Sequence, residues 1–210
     1  MKKRSKIKEG TCIYCGVVGF LTDDHVPPKN LFPKPRLGLL TVPSCERCNG
    51  SSKLDDEYFR LAITSVVDGM AFPIAVDAIR KLDTPEKDRF KRSMLRDYDR
   101  ENGDLQLDRP RLHGVIERVI RGLFWHHQRR FLPIQADIRI WFTSFDEAPM
   151  DDMGLEGQLE ALRRQHLHQI GRGVFTYQYM FGSDEAVFSA WYLRFYEKNE
   201  VFGIIFPPPI

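Results

Sequence analysis

The sequence has no apolar run near the roughly 18 to 20 residues that span a bilayer, and no apolar stretch follows its basic start, Met1-Lys2-Lys3-Arg4-Ser5-Lys6. A membrane span and a secretory signal peptide are therefore not expected, and the chain reads as soluble and cytoplasmic. Internal repeats and low-complexity segments are also missing, which argues against solenoids and long disordered tracts. Cysteine is scarce, with only four in 210 residues, yet 42% of the chain is hydrophobic, enough to build a core.

Net charge is small, at +2, but unevenly spread. Up to Lys53 there are ten Lys/Arg against four Asp/Glu, a balance of +6; beyond it 21 basic and 25 acidic residues leave −4. The basic excess shares its segment with every cysteine. An anionic partner suits such a segment, because phosphates attract Lys and Arg and release counterions. A solvated basic tail over Lys2–Lys8 accounts for about half of the excess.

The four cysteines form two pairs, Cys12-Ile13-Tyr14-Cys15 and Cys45-Glu46-Arg47-Cys48. Two intervening residues let both thiolates of a tight turn reach one tetrahedral zinc. Disulfides do not suit a chain kept in a reducing compartment. Four thiolates close the coordination sphere, so the expected Zn2+ is structural: it staples a segment too short to build its own core.

Zinc closure ties the first cysteine turn to the second, which brings the Asp23-Asp24-His25-Val26-Pro27-Pro28 stretch toward Asn49. A carboxylate, an imidazole titrating near neutrality and an amide then meet in one small volume. That is an inventory for hydrolysing a phosphodiester with a hard divalent cation. The order Cys-x-x-Cys, Asp24-His25-Val26-x-Pro28, Cys-x-x-Cys-Asn49 and then Lys53 resembles the HNH endonucleases of the ββα-metal, treble-clef class, over about residues 11–60. The resemblance implies that His25 is the general base and that Asp24 and Asn49 ligate a catalytic Mg2+ or Mn2+. It also implies that Cys12, Cys15, Cys45 and Cys48 hold the structural zinc. One position departs from the family pattern: its middle Asn would fall in Gly38-Leu39-Leu40-Thr41, which has no amide, leaving Asn30 or Thr41 as substitutes. Asp55 and Asp56 read as charges at a helix start, and Lys29, Arg36 and Lys53 as phosphate contacts or solvated cations.

Beyond residue 55 the apolar spacing becomes helical through Val67, a second helix is expected over Ile74–Leu82, and Thr84-Pro85 has the form of a helix start. Residues 111–131 read as the longest helix, with Val115, Ile116, Val119, Ile120, Leu123 and Phe124 on one face. His126 and His127 read as helix-end cations rather than metal ligands, since neighbours on a helix point about 100° apart. Ile138–Phe142, Val174–Phe181, Ala186–Phe195 and Val201–Phe206 have the composition of about four antiparallel strands. Gln158–Gln169 reads as helix or loop, with no role for His166 and His168. Trp191, Tyr192 and Phe195 are either core or base-stacking residues.

The expected architecture is α+β: an N-terminal zinc treble-clef ββα-metal module over residues 1–60, a helical region over 61–110, and a C-terminal helix packed on an antiparallel sheet over 111–210. The expected function is metal-dependent hydrolysis of DNA, with phage defence or genome maintenance as the setting. The alternatives are a catalytically inactive zinc-dependent module that only binds nucleic acid, and an RNA-cleaving toxin-type nuclease. The C-terminal domain is expected to select targets, bind a protein partner or form a homo-oligomer.

Overall fold

The computed structural model describes residues 8–64, 107–143, 156–182 and 189–206, and the isolated positions 74, 76, 80 and 88, which are helical. The basic tail at Lys2–Lys6, the helix after Thr84 and the loop at 101–104 lie outside the described residues, apart from position 88, as does most of the helix expected over 74–82. No described helix is long and apolar enough to cross a membrane.

The N-terminal part is a three-stranded antiparallel sheet of β1 (Lys8–Thr11), β2 (Val18–His25) and β3 (Thr41–Cys45), in that spatial order. The first cysteine turn joins β1 to β2. It is closed by the Cys12 N–H donating to Val17 O and the Gly16 N–H donating to Cys12 O. Strand β3 runs straight into α1 (Glu46–Ser51), and α2 (Lys53–Thr64) follows. Cys45 caps α1, its sulfur accepting from the Cys48 N–H. One residue thus serves as cap and as candidate ligand, which fixes where the second turn begins.

The C-terminal part is built on α3 (Arg109–Gln128). The Asp108 side chain accepts from the Arg111 N–H and Pro110 lies in the first turn, so the helix starts two residues earlier than its apolar pattern suggests. It ends at Arg129, whose N–H donates to Trp125 O from a left-handed backbone (φ 52°). The strands β4 (Asp137–Phe142), β5 (His168–Ile170), β6 (Phe175–Phe181), β7 (Ser189–Phe195) and β8 (Asn199–Phe206) form one antiparallel sheet of order β4-β8-β7-β6-β5. Helix α4 (Glu156–Arg163) precedes β5. The sheet therefore has one strand more than its sequence suggests. Strand β5 has three residues and pairs only with β6, too short a run to display a period of two.

Val115, Ile116, Val119, Ile120, Leu123 and Phe124 of α3 are each at most 1% exposed; Ile120 meets Gly203 of the sheet, while Val115 and Val119 border the N-terminal part. Each such side chain contributes roughly 1.5–3 kcal/mol of burial. The same core takes in Ile13, Val26, Leu31, Phe32 and Val42 from the N-terminal part. Trp191 and Phe195 are buried in this core, and Tyr192 in a second cluster with Leu159, Leu162 and Phe202, so none of the three forms a stacking surface. Val26 approaches α3 so closely that a Cβ on Gly122 would lie 2.6 Å from its Cγ2. Asn199 Nδ2 donates to Ile63 O at 3.0 Å, and the Tyr196 hydroxyl donates to Leu31 O. These contacts set α3 firmly beside β2.

Candidate functional site

The two cysteine turns meet. The sulfur atoms of Cys12, Cys15, Cys45 and Cys48 all lie within 4.8 Å of one another, and Cys15 Sγ is 3.7 Å from Cys45 Sγ. A tetrahedral zinc with Zn–S bonds near 2.3 Å requires sulfurs about 3.8 Å apart, so this donor set fits the ion. None of the four cysteines is in a disulfide. Burial opposes ionisation of Cys12, yet the backbone N–H groups of Cys45, Cys15 and Tyr14 outweigh it and draw the thiol down to about 6. Burial and the neighbouring thiols of Cys45 and Cys15 push Cys48 far above the usual thiol range. Among the described residues, no other group of three or more His, Cys, Asp or Glu side chains is arranged to hold a metal.

Beside this cluster, β2 carries Asp24 opposite Val42 and His25 opposite Thr41. Successive strand residues point to opposite faces, and Asp24 turns toward α3. There its Oδ2 meets Arg118 Nη2 at 2.6 Å, and the side chains of Asp24 and Arg118 are only 12% and 22% exposed. Arg118 Nη1 donates to Cys48 O at 2.8 Å, and the guanidinium lies over the Tyr14 ring, 4.3 Å from its centroid. Burial and the Asp24 carboxylate raise the Tyr14 phenol well above its usual value. One arginine thus joins the cysteine turn, the strand and the long helix.

Asn49 reaches β2 from α1. Its Nδ2 donates to Thr22 Oγ1 at 2.9 Å and to Asp23 O at 3.4 Å, two residues and one residue before Asp24. His25 is half-buried, and burial, followed by the charge of Lys29, lowers its pKa, favouring the neutral imidazole. Burial also raises Asp56 to about 6, against the pull of Arg118. Tyr14, Asp24, His25, Asp56 and Arg118 border a cavity of about 10 Å³, room for about one water molecule.

The structure therefore brings Asp24 and His25 to one cavity, and holds the Asn49 amide on the neighbouring Thr22 and Asp23. It also places Arg118, which the sequence reading missed, against Asp24. The available signal was faint: Arg118 is a cation set directly beside the apolar stripe of Val115 and Val119. Asn30 Nδ2 donates to Asp56 O at 3.0 Å and ties the turn at Lys29–Leu31 to α2. Thr41 is exposed and faces His25 only through the strand pairing. Asp55 stands in the first turn of α2, as expected, and pairs with Arg111 at 2.8 Å.

His127 differs from the helix-end cation expected of it. Its Nε2 and Nδ1 lie 3.0 Å and 3.1 Å from the hydroxyls of Tyr177 and Tyr179. Burial, then the charges of His126 and His168, lower its pKa to about 4, so it is a neutral bridge between α3 and β6. Comparison with family models, curated proteins and solved structures finds no match for this chain.

Proposed function

We propose that this protein is a zinc-stapled nucleic-acid-binding protein with an HNH-like N-terminal module. The observation that carries this reading is the pairing of Arg118 with Asp24, beside four sulfurs spaced for zinc. In the HNH resemblance that carboxylate would hold the hydrolytic cation. Here a guanidinium neutralises it, so the corner serves as architecture, while the +6 balance of the first 53 residues supplies attraction for phosphates.

A second reading, metal-dependent cleavage of DNA, is favoured by Asp24 and His25 at one cavity, with the Asn49 amide held on the neighbouring Thr22 and Asp23. Neutral His25 stands ready to accept a proton from water. This reading requires Asp24 to exchange Arg118 for Mg2+ or Mn2+. The two readings separate in one assay: zinc-replete protein is titrated into labelled DNA and RNA with Mg2+ or Mn2+ present, and binding and strand integrity are read together. The proposal expects saturable, salt-sensitive binding with intact strands. Cleavage that falls by about 10²–10⁴ in His25→Ala would establish the second reading instead.

A further inference from the structure

Two cavities flank the place where residues 37–41 run alongside β5 and the turn after it. One, of about 290 Å³, is lined by Lys34, Arg36 and Arg172 with apolar walls from Phe32, Leu37 and Leu39. The other, of about 420 Å³, is lined by His126, Arg129, His168 and Tyr177, with Leu40 and Thr41. The seam is held shut at Phe32, whose ring would lie 2.3 Å from a Cβ on Gly171.

Every charged side chain lining either cavity is basic, and among the described residues no Asp or Glu lines them. Seven arginines elsewhere among the described residues are neutralised by partners: Arg60, Arg111, Arg118, Arg121, Arg139, Arg163 and Arg164 each pair with a carboxylate. Lys34, Arg36, Arg129 and Arg172 form no ion pair with a described residue. Arg36 uses Nε on Phe32 O, and Arg129 stacks on Trp125 with its centre 4.6 Å from the ring. Stacking leaves the in-plane N–H donors of a guanidinium available, in a fork that matches a phosphate.

A second observation concerns the backbone. Arg129 and Arg172 sit at φ 52° and 53°, in the left-handed region. Glycine adopts that region freely and is the common residue just past a helix end. Arginine at both positions keeps a charge at the seam despite unfavourable backbone geometry. Burial and neighbouring cations favour the neutral forms of His126 and His168, so Arg129 carries the charge among the described residues lining the second cavity.

We propose that this seam, with Lys34, Arg36, Arg129 and Arg172 along it, is the track that binds the sugar–phosphate backbone of the nucleic acid. The proposal rests on the nucleic-acid-binding reading and adds where the strand lies: across the joint between the N-terminal module and the C-terminal sheet.

The left-handed positions provide the test. Arg129→Gly with Arg172→Gly removes two cations while giving the backbone the residue it tolerates best. Full-length, zinc-replete protein is titrated into a fluorescent DNA oligonucleotide between 50 and 200 mM salt. The double variant should keep its zinc and its unfolding midpoint. It should bind about 10-fold or more weakly at low salt, with a log–log salt slope shallower by about two, one per lost phosphate contact. Should the glycine variant fail to fold, Arg129→Gln with Arg172→Gln is measured in the same way. Unchanged affinity and slope in a folded variant would overturn the track while leaving nucleic-acid binding in place. A wild type that binds no oligonucleotide overturns the underlying reading, and the track with it.

Discussion

Arg118 Nη2 lies 2.6 Å from Asp24 Oδ2, across 94 residues of sequence. The pair is largely shielded from water, and Arg118 also holds the Cys48 carbonyl. Removing one partner of such a pair leaves an uncompensated charge, at a cost of about 3–5 kcal/mol. For a chain of this size that lowers the thermal midpoint by roughly 6–20 °C. Arg118→Ala should therefore be markedly less stable than the wild type. If the corner can accept a hard cation, millimolar Mg2+ or Mn2+ should raise the midpoint of Arg118→Ala selectively, since a ligand that binds only the folded state stabilises it. An Arg118→Ala protein as stable as the wild type would remove this pair from the account.

The four sulfurs should hold about one zinc per chain, as one closed tetrahedral site requires. Cys45→Ser removes a thiolate while leaving a hydroxyl suited to cap α1, so any unfolding of the N-terminal module reports the lost zinc, because ligand binding there is folding energy. Elemental analysis and amide exchange over residues 8–64 check this. Metal-free protein with those residues fully protected would count against the staple.

Gly122→Ala tests the docking of the N-terminal module on α3. Alanine is the better helix former by up to about 1 kcal/mol. Its Cβ would nevertheless lie 2.6 Å from Val26 Cγ2, an overpacking that typically costs about 1–3 kcal/mol. Denaturant unfolding should show a net loss of stability, and Val26→Ala in the same background should return part of it. A stabilised Gly122→Ala would mean that Val26 does not press on α3.

The neutral bridge of His127 has a sign that pH can test. Its native pKa, about 4, lies below the ordinary histidine value of 6.5. The unfolded chain therefore binds more protons between those values, and the His127 contribution, complete above pH 6.5, is lost as pH falls toward 4. His127→Gln should show a shallower loss of stability over that window than the wild type. Parallel curves for the two proteins would place the histidine proton equilibrium elsewhere.

Local chemistry was legible in the sequence. The Cys-x-x-Cys spacing announces the metal cluster, and the 3.6-residue pattern at Val115–Phe124 announces the buried face of α3. The strands over 138–142, 174–181, 186–195 and 201–206 carry their own β-branched and aromatic signal, so their type was legible, with ends among the described residues displaced by one or two positions. What escaped was long-range. Nothing local to Arg118 says that its partner is Asp24, because the pairing exists only once Gly122 lets α3 approach Val26. Strand β5 escaped because β6 supplies its hydrogen bonds and its three residues carry no pattern of their own. The histidine cluster was misread for a similar reason: His127 owes its neutral state to burial against β6, where the Tyr177 and Tyr179 hydroxyls, fifty residues away, meet its ring.

The most direct test of the central claim is the affinity of one protein preparation for labelled DNA before and after zinc removal and reloading. The account predicts tight, salt-sensitive binding by the zinc-replete protein, loss of that binding on stripping, and recovery with about one equivalent of zinc. Binding that is indifferent to zinc, or absent from the fully loaded protein, would contradict it.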